Sequence, residues 1–168
     1  MQDSSSWTEP RTTDNLPAFL KKQAGTLQAT PCKPPGAPHT LVVTSSGVRA
    51  ADVCRCLKSG LPKQGDVKPS VAKLFAKHLK LADQVAHLNK SRIDYGVGTP
   101  DRLMALLQEG ALSTANLKRV VVDVSYIDGK KRGILDMREL HEAVVKLLVC
   151  KQLVGEDRQG GEGLFVWY

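Results

Sequence analysis

From residue 40 onward, short apolar runs alternate with stretches in which apolar residues recur every three or four positions. Runs of the first kind predict buried β-strands, and the periodic stretches predict amphipathic helices. The predicted strands are residues 41–44, 71–75, 93–98, 120–124 and 163–168. The predicted helices are residues 48–58, 79–89, 100–109 and 136–149, the third of which begins at a proline and ends at Gly110. Strands and helices that alternate in this way predict right-handed βαβ units on a parallel sheet.

The best predicted strand is the sequence Val-Val-Val-Asp-Val at residues 120–124. A continuous β-branched run, rather than an alternating one, is typical of a parallel strand that is buried on both faces. We therefore predict an α/β domain with a mostly parallel sheet flanked by helices. In such folds, ligands bind at the carboxyl ends of the strands, where helix N-termini present free N–H groups.

Residues 1–38 have a different composition. Four prolines lie within residues 31–38, which excludes a helix or a central strand there. Residues 16–22 favour a short helix, with Asp14 or Asn15 as its cap and Pro17 near its first turn. We predict a flexible, Pro-rich arm with a short helix over residues 1–38 and a folded domain over residues 39–168.

The composition is that of an ordinary globular protein: 168 residues, 42% of them hydrophobic, with a formal net charge of +7. Aromatic residues make up only 5%, which disfavours modules that bind single-stranded bases by stacking. No stretch approaches the roughly 20 apolar residues of a membrane span, so we expect no membrane partner. The positive charge favours a polyanionic partner. The basic segments of the chain, however, lie apart at residues 21–22, 73–80, 90–92 and 129–133 and do not form one run. Separate segments of this kind also suit solvated loops without a partner.

Metal, cofactor and catalytic motifs are absent from the sequence. The four cysteines (Cys32, Cys54, Cys56 and Cys150) lack the spacing of zinc ligands, and we interpret them as small hydrophobic residues of a reducing compartment. No Gly-rich nucleotide loop of the G-x-x-x-x-G-K-[ST] type occurs. We therefore expect no metal, no cofactor, no bound nucleotide and no enzymatic activity.

Two predicted strand ends are alike and are candidates for binding phosphate. Ser46 opens one helix with Arg49 behind it, and Thr99 opens another with Arg102 behind it. Hydroxyl groups, free N–H groups and an arginine at a helix start suit a phosphate oxygen. Ser46 and Thr99 equally suit simple capping of their own helices, and the sequence leaves both interpretations open.

Asp123 stands at the end of the best strand. One interpretation is a carboxylate linked to metal or catalysis, as in nucleotide hydrolases, and the other is a structural hydrogen bond. The structural interpretation is favoured, because the nucleotide loop is missing and Val124 stands where a Glu acting as general base is expected.

Several of these segments resemble motifs of DEAD-box RNA helicases. Residues 97–103, Val-Gly-Thr-Pro-Asp-Arg-Leu, resemble the VGTPGRL motif of the first RecA-like domain, residues 44–50 fall where the helicases carry APTRELA, and residues 121–126 fall at VLDEAD. The resemblance implies a single, incomplete RecA-like domain. It also implies RNA-backbone contact by Ser46, Thr99 and Arg102, with Arg49 one helical step from the arginine position of APTRELA, and it makes Asp123 a vestigial DEAD residue.

The run Lys-Leu-Phe-Ala-Lys-His at residues 73–78, together with residues 96–100, is similar to the Cms-one-type ribosomal small-subunit protein family. These are helicase-like factors of early small-subunit pre-ribosomes in the nucleolus. The resemblance implies a nuclear, non-catalytic RNA-binding factor of ribosome biogenesis and rRNA processing, with pre-ribosomal RNA and proteins as partners. The alternative is a protein-interaction scaffold with vestigial helicase sites and no direct RNA binding.

Overall fold

Five parallel strands form the central sheet in the order β2-β3-β1-β4-β5. The computed structural model describes residues 4–24, 34–63, 66–154 and 165–168. The strands are β1 Thr40–Val43, β2 Val71–Leu74, β3 Tyr95–Gly98, β4 Arg119–Val122 and β5 Phe165–Trp167. The helices are α1 Leu16–Ala24, α2 Gly47–Gly60, α3 Leu81–Leu88, α4 Pro100–Gln108, α5 Arg138–Leu148 and α6 Lys151–Val154. A 3-10 turn at Thr13–Asn15 precedes α1. The predicted α/β class, with a parallel sheet flanked by helices, is confirmed.

Every residue of β1, β3 and β4 is buried, because helices cover both faces of the sheet. Successive strand residues point to opposite faces. Val42 and Val121 pack in a hydrophobic cluster with residues of α1 and α2, whereas Leu41 and Val120 pack in a second cluster with residues of α3, α4 and α5. The continuous apolar runs of the sequence therefore follow from burial on two sides.

Two helices begin later than the periodicity predicts. The helix expected from residue 79 begins at Leu81, because residues 76–79 form a turn in which His78 adopts a φ of 60°. The helix expected from residue 136 begins at Arg138, because the Asp136 carboxylate accepts a hydrogen bond from the Gly133 N–H (2.8 Å) in the preceding turn. In the predicted last strand, residues 163–164 lie outside the described part of the chain.

The N-terminal segment packs against the sheet through α1, and the predicted short helix is confirmed. Leu16, Phe19 and Leu20 are completely buried. The Phe19 ring lies between those of Trp7 and Tyr168, with centroid distances of 5.5 and 4.6 Å. Residues 25–33 lie outside the described ranges, and the predicted domain boundary at residue 38 stays a prediction.

A buried arginine also holds α1 in place. Arg119 of β4 donates from Nε to the Thr40 hydroxyl (2.9 Å) and from Nη1 to the carbonyl oxygen of Leu20 in α1 (2.7 Å). Burial lowers the pKa of Arg119. A buried polar group needs hydrogen-bond partners, so the position of Leu20 depends on a strand 99 residues away.

The cysteines differ in their burial. Cys54 of α2 is buried, as predicted, and burial raises the pKa of its thiol to about 11. Cys56 and Cys150 are half-buried, and Cys32 lies outside the described residues. Within the described ranges no group of three or more His, Cys, Asp or Glu side chains is arranged to hold a metal ion. None of the helices described has both the length and the hydrophobicity that a membrane span requires.

We expect Phe19→Ala to lower the free energy of unfolding by about 3–5 kcal/mol, because it opens a cavity beneath α1. Lys21→Ala changes an exposed side chain of the same helix and should stay within about 0.5 kcal/mol of the wild type. Urea unfolding measures both. Equal, small losses would show that α1 does not pack against the sheet.

Candidate nucleic-acid interface at the carboxyl edge of the sheet

The two similar strand ends predicted from the sequence lie side by side. Val43 of β1 is paired in register with Gly98 of β3. Just beyond them, both the N–H and the hydroxyl of Thr44 donate to the carbonyl oxygen of Gly98, at 2.8 and 3.2 Å. Thr99 follows Gly98 directly and Ser46 lies two residues after Thr44, so both helix starts stand at the same edge of the sheet.

The two hydroxyl groups have different surroundings. Ser46 Oγ accepts a hydrogen bond from the Arg49 N–H (3.2 Å) and so caps α2. Thr99 occupies the N-cap position of α4, but its side chain makes no capping hydrogen bond within the described structure. Both residues are half-buried. The Thr99 hydroxyl is therefore the one that its own helix does not use.

Arg49 points into the protein. Its Nε donates to Asp123 Oδ2 (2.6 Å), its Nη1 donates to the Thr13 hydroxyl, and its guanidinium lies 4.9 Å from the centre of the Tyr126 ring. Only 7% of the side chain is exposed. The first helical turn of α2 thus aims its arginine at the end of β4.

Asp123 is enclosed on both sides. Its side chain is completely buried, and while Oδ2 binds Arg49, Oδ1 accepts a hydrogen bond from the Ser125 hydroxyl (2.8 Å). A buried carboxylate requires a counter-charge, which Arg49 supplies. A divalent cation would have to displace this guanidinium in order to bind at Asp123.

The N-terminal segment crosses the carboxyl ends of β4 and β5. The Ser4 hydroxyl donates to the carbonyl oxygen of Trp167 (3.3 Å), and the Tyr168 hydroxyl donates to that of Thr12 (2.6 Å). Burial, together with the negative charge of Asp123, raises the pKa of Tyr168 to about 12. Thr12 and Thr13 carry no local sequence signal for these contacts, because their partners, Tyr168 and Arg49, are distant in the sequence.

Arg102 lies at the same edge but binds within the protein. Its Nη1 donates to the carbonyl oxygen of Leu79 (2.9 Å) and to Gln84 Oε1 (2.7 Å). Gln84 in turn donates from Nε2 to the carbonyl oxygens of Lys73 (2.9 Å) and Phe75 (3.1 Å). Arg102 is half-buried, and its bonds connect α4 to α3, whose Gln84 binds the end of β2.

Two exposed charged residues stand at these helix starts. A Cβ atom placed on Gly47 would lie 3.3 Å from the Cβ of Lys77, so this exposed lysine stands beside the N-terminus of α2. Asp101, exposed in the first turn of α4, favours the helix dipole but repels a phosphate. The sequence signal for Lys77 was the basic segment 73–80. Its position beside Gly47 is a tertiary feature.

A family model and several curated relatives that match this chain all carry CMS1-type names. The family model CMS1, described as a U3-containing 90S pre-ribosomal complex subunit, matches residues 1–168. The chain is 52% identical over 151 residues to Protein CMS1 of Chaetomium thermophilum, covering 88% of this chain and 58% of that relative. It is 31% identical over 154 residues to Protein cms1 of Schizosaccharomyces pombe, covering 92% and 53%. Protein CMSS1 of Homo sapiens is 40% identical over 108 residues, 64% of this chain and 37% of that protein. The chain thus spans little more than half the length of the two fungal relatives.

We expect Arg49→Met to lower the free energy of unfolding by about 3–5 kcal/mol, because it leaves the carboxylate of Asp123 buried without its counter-charge. Arg55→Met on the same helix breaks an exposed ion pair with Asp52 and should cost less than about 1 kcal/mol. Urea unfolding of both variants gives the comparison. If the two losses were equal, the buried pair would not stabilise the fold.

Proposed function

This chain belongs to the CMS1 family, and we propose that it is a non-catalytic, RNA-binding factor of the 90S pre-ribosomal complex. The family resemblance found in the sequence is confirmed by a family model that matches residues 1–168. The family description supports a place in small-subunit ribosome biogenesis, which takes place in the nucleolus. Pre-ribosomal RNA and proteins are the partners that this proposal implies.

The paired strand ends carry the proposal of RNA binding. Thr44 joins β1 to β3, so the helix starts at Ser46 and Thr99 present their N–H groups at one edge. Helix N-termini favour anions, and the Thr99 hydroxyl is not used as a cap. Lys77 adds an exposed positive charge beside the first of them. This combination suits the phosphates of an RNA backbone rather than its bases.

The pair formed by Arg49 and Asp123 supports a non-catalytic role. In the helicase motif that residues 121–126 resemble, the aspartate is linked to metal and catalysis, whereas here its carboxylate is neutralised and completely buried. The nucleotide loop is absent from the sequence, and Val124 replaces the expected general base. Phosphoryl transfer depends on such groups to position the nucleotide and its metal ion.

A scaffold without direct RNA contact is the second candidate. The observation that favours it is that both arginines of the motif-like strand ends, Arg49 and Arg102, bind within the protein. In that case association with pre-ribosomal proteins would survive RNase treatment, and the isolated chain would not bind RNA.

We expect the 168-residue chain to bind single-stranded RNA with an affinity that falls steeply as salt rises, because phosphate contacts release counterions. Thr99→Val should weaken binding roughly two- to tenfold for every RNA sequence, as the loss of one hydrogen bond predicts. Thr114→Val, in the loop at the opposite edge of the sheet, is the matched control. Fluorescence anisotropy across a salt series measures all three proteins. Absence of salt-sensitive binding at low ionic strength would contradict direct RNA binding and leave the scaffold.

We also expect that millimolar ATP and Mg²⁺, alone or together, leave the midpoint of thermal unfolding unchanged. A ligand that binds only the folded state raises this midpoint. Both carboxylate oxygens of Asp123 are engaged by Arg49 and Ser125, and the sequence has no Gly-rich loop to hold the nucleotide. ATP binding detected by calorimetry would contradict the non-catalytic assignment.

A further inference from the structure

Most of the net charge of the chain comes from one stretch of sequence. Residues 55–80 contain seven basic residues and one acidic residue, a net charge of +6, whereas the whole chain carries +7. The seven are Arg55, Lys58, Lys63, Lys68, Lys73, Lys77 and Lys80, and all of them are exposed. This stretch runs from the last turns of α2 through β2 to the start of α3.

Within this stretch, Lys58, Lys73 and Lys77 line the junction of α2 and β2, and we call them the lysine row. Lys58 follows Cys54 by one helical turn, and the positive charges of both Lys58 and Lys73 act on the Cys54 thiol. Lys73 lies between Val71 and Phe75, which both pack on the α2 side of the sheet, so it emerges on that side. Lys77 stands at the other end of α2, beside Gly47.

The row is long enough to follow a nucleic-acid backbone. Gly47 and Lys58 are separated by eleven residues of one helix, a length of about 17 Å. In the order of the sheet, β2 is the edge strand, so no further described strand covers the row. Its end at Lys77 adjoins Ser46, which makes the row continuous with the carboxyl edge.

The charges of the row are not neutralised by ion pairs within the described part of the protein. No carboxylate there lies within ion-pair distance of the three ammonium groups. The nearest acidic residue of α2, Asp52, is held by Arg55. Asp66 in the preceding loop and Asp83 on α3 are the other carboxylates of this region.

We propose that the lysine row of α2 and β2 binds the phosphate backbone of RNA, as a second surface outside the helicase-like motifs. The proposal rests on the proposed RNA-binding function and adds the place where most of the electrostatic attraction arises. Lysine is depleted at protein–protein interfaces, whereas unpaired point charges in a row suit a polyanion of repeating charge. RNA is therefore favoured over an acidic protein as the partner of this face.

The test compares two triple variants of the 168-residue chain that remove the same charge. Lys58→Gln/Lys73→Gln/Lys77→Gln removes the row, and Lys118→Gln/Lys130→Gln/Lys151→Gln removes three exposed lysines elsewhere. Binding of a single-stranded RNA is measured by anisotropy at several salt concentrations. We expect the row variant to reduce the slope of log affinity against log salt by about 2, since each phosphate contact contributes roughly 0.7. The control variant should change the slope by less than half as much.

The outcomes separate this proposal from the general one. If the wild type binds RNA and both triple variants change the slope equally, the lysine row is overturned while RNA binding stands. If the wild type shows no salt-sensitive binding, the proposed function itself fails. Unfolding midpoints of the three proteins verify that the variants are folded. Substitution of exposed lysines leaves the core intact, so we expect equal midpoints.

Discussion

The buried ion pair of Arg49 and Asp123 is the interaction on which the carboxyl edge of the sheet depends. It joins the first turn of α2 to the end of β4, and the same guanidinium reaches Thr13 and Tyr126. A charge that is buried in this way is tolerated only with a partner, so removal of either member destabilises the other. At the opposite edge, Arg119 holds α1 through the carbonyl of Leu20. Two buried arginines of the domain thus fix the N-terminal segment across one face of the sheet.

The same pair supports the proposal that the domain is not catalytic. A metal ion would have to displace the guanidinium of Arg49 in order to bind Asp123, and Arg49 in this pair does not face a phosphate at the surface. The groups left for a phosphate are the half-buried Thr99 hydroxyl, two helix N-termini and the lysine row. Under the proposed function, RNA contacts these groups and the charged surface rather than Arg49 and Asp123.

Much of the architecture was predictable from local patterns. The apolar run at 120–124 predicted the buried strand β4, and Pro100 with Gly110 predicted both ends of α4, where Gly110 adopts a φ of 69°. The two errors at helix starts also have local causes. His78 takes a left-handed conformation that periodicity does not reveal, and Asp136 uses its carboxylate in a turn rather than in the helix. In both cases a turn precedes the helix, and the spacing of apolar residues does not predict that turn.

The sequence by itself determined the class of fold and the alternation of strands and helices. It also determined the two similar strand ends that are candidates for binding phosphate, and the absence of a nucleotide loop. These features depend on periodicity and on spacing along the chain, which are local properties. Only the tertiary structure decided that Arg49 faces Asp123, that Arg102 binds Gln84 and that Lys58, Lys73 and Lys77 share one face. Arg49 and Asp123 are 74 residues apart. Whether an arginine meets a carboxylate or the solvent depends on the path of the backbone between them, because an ion pair forms wherever the fold brings the two charges together.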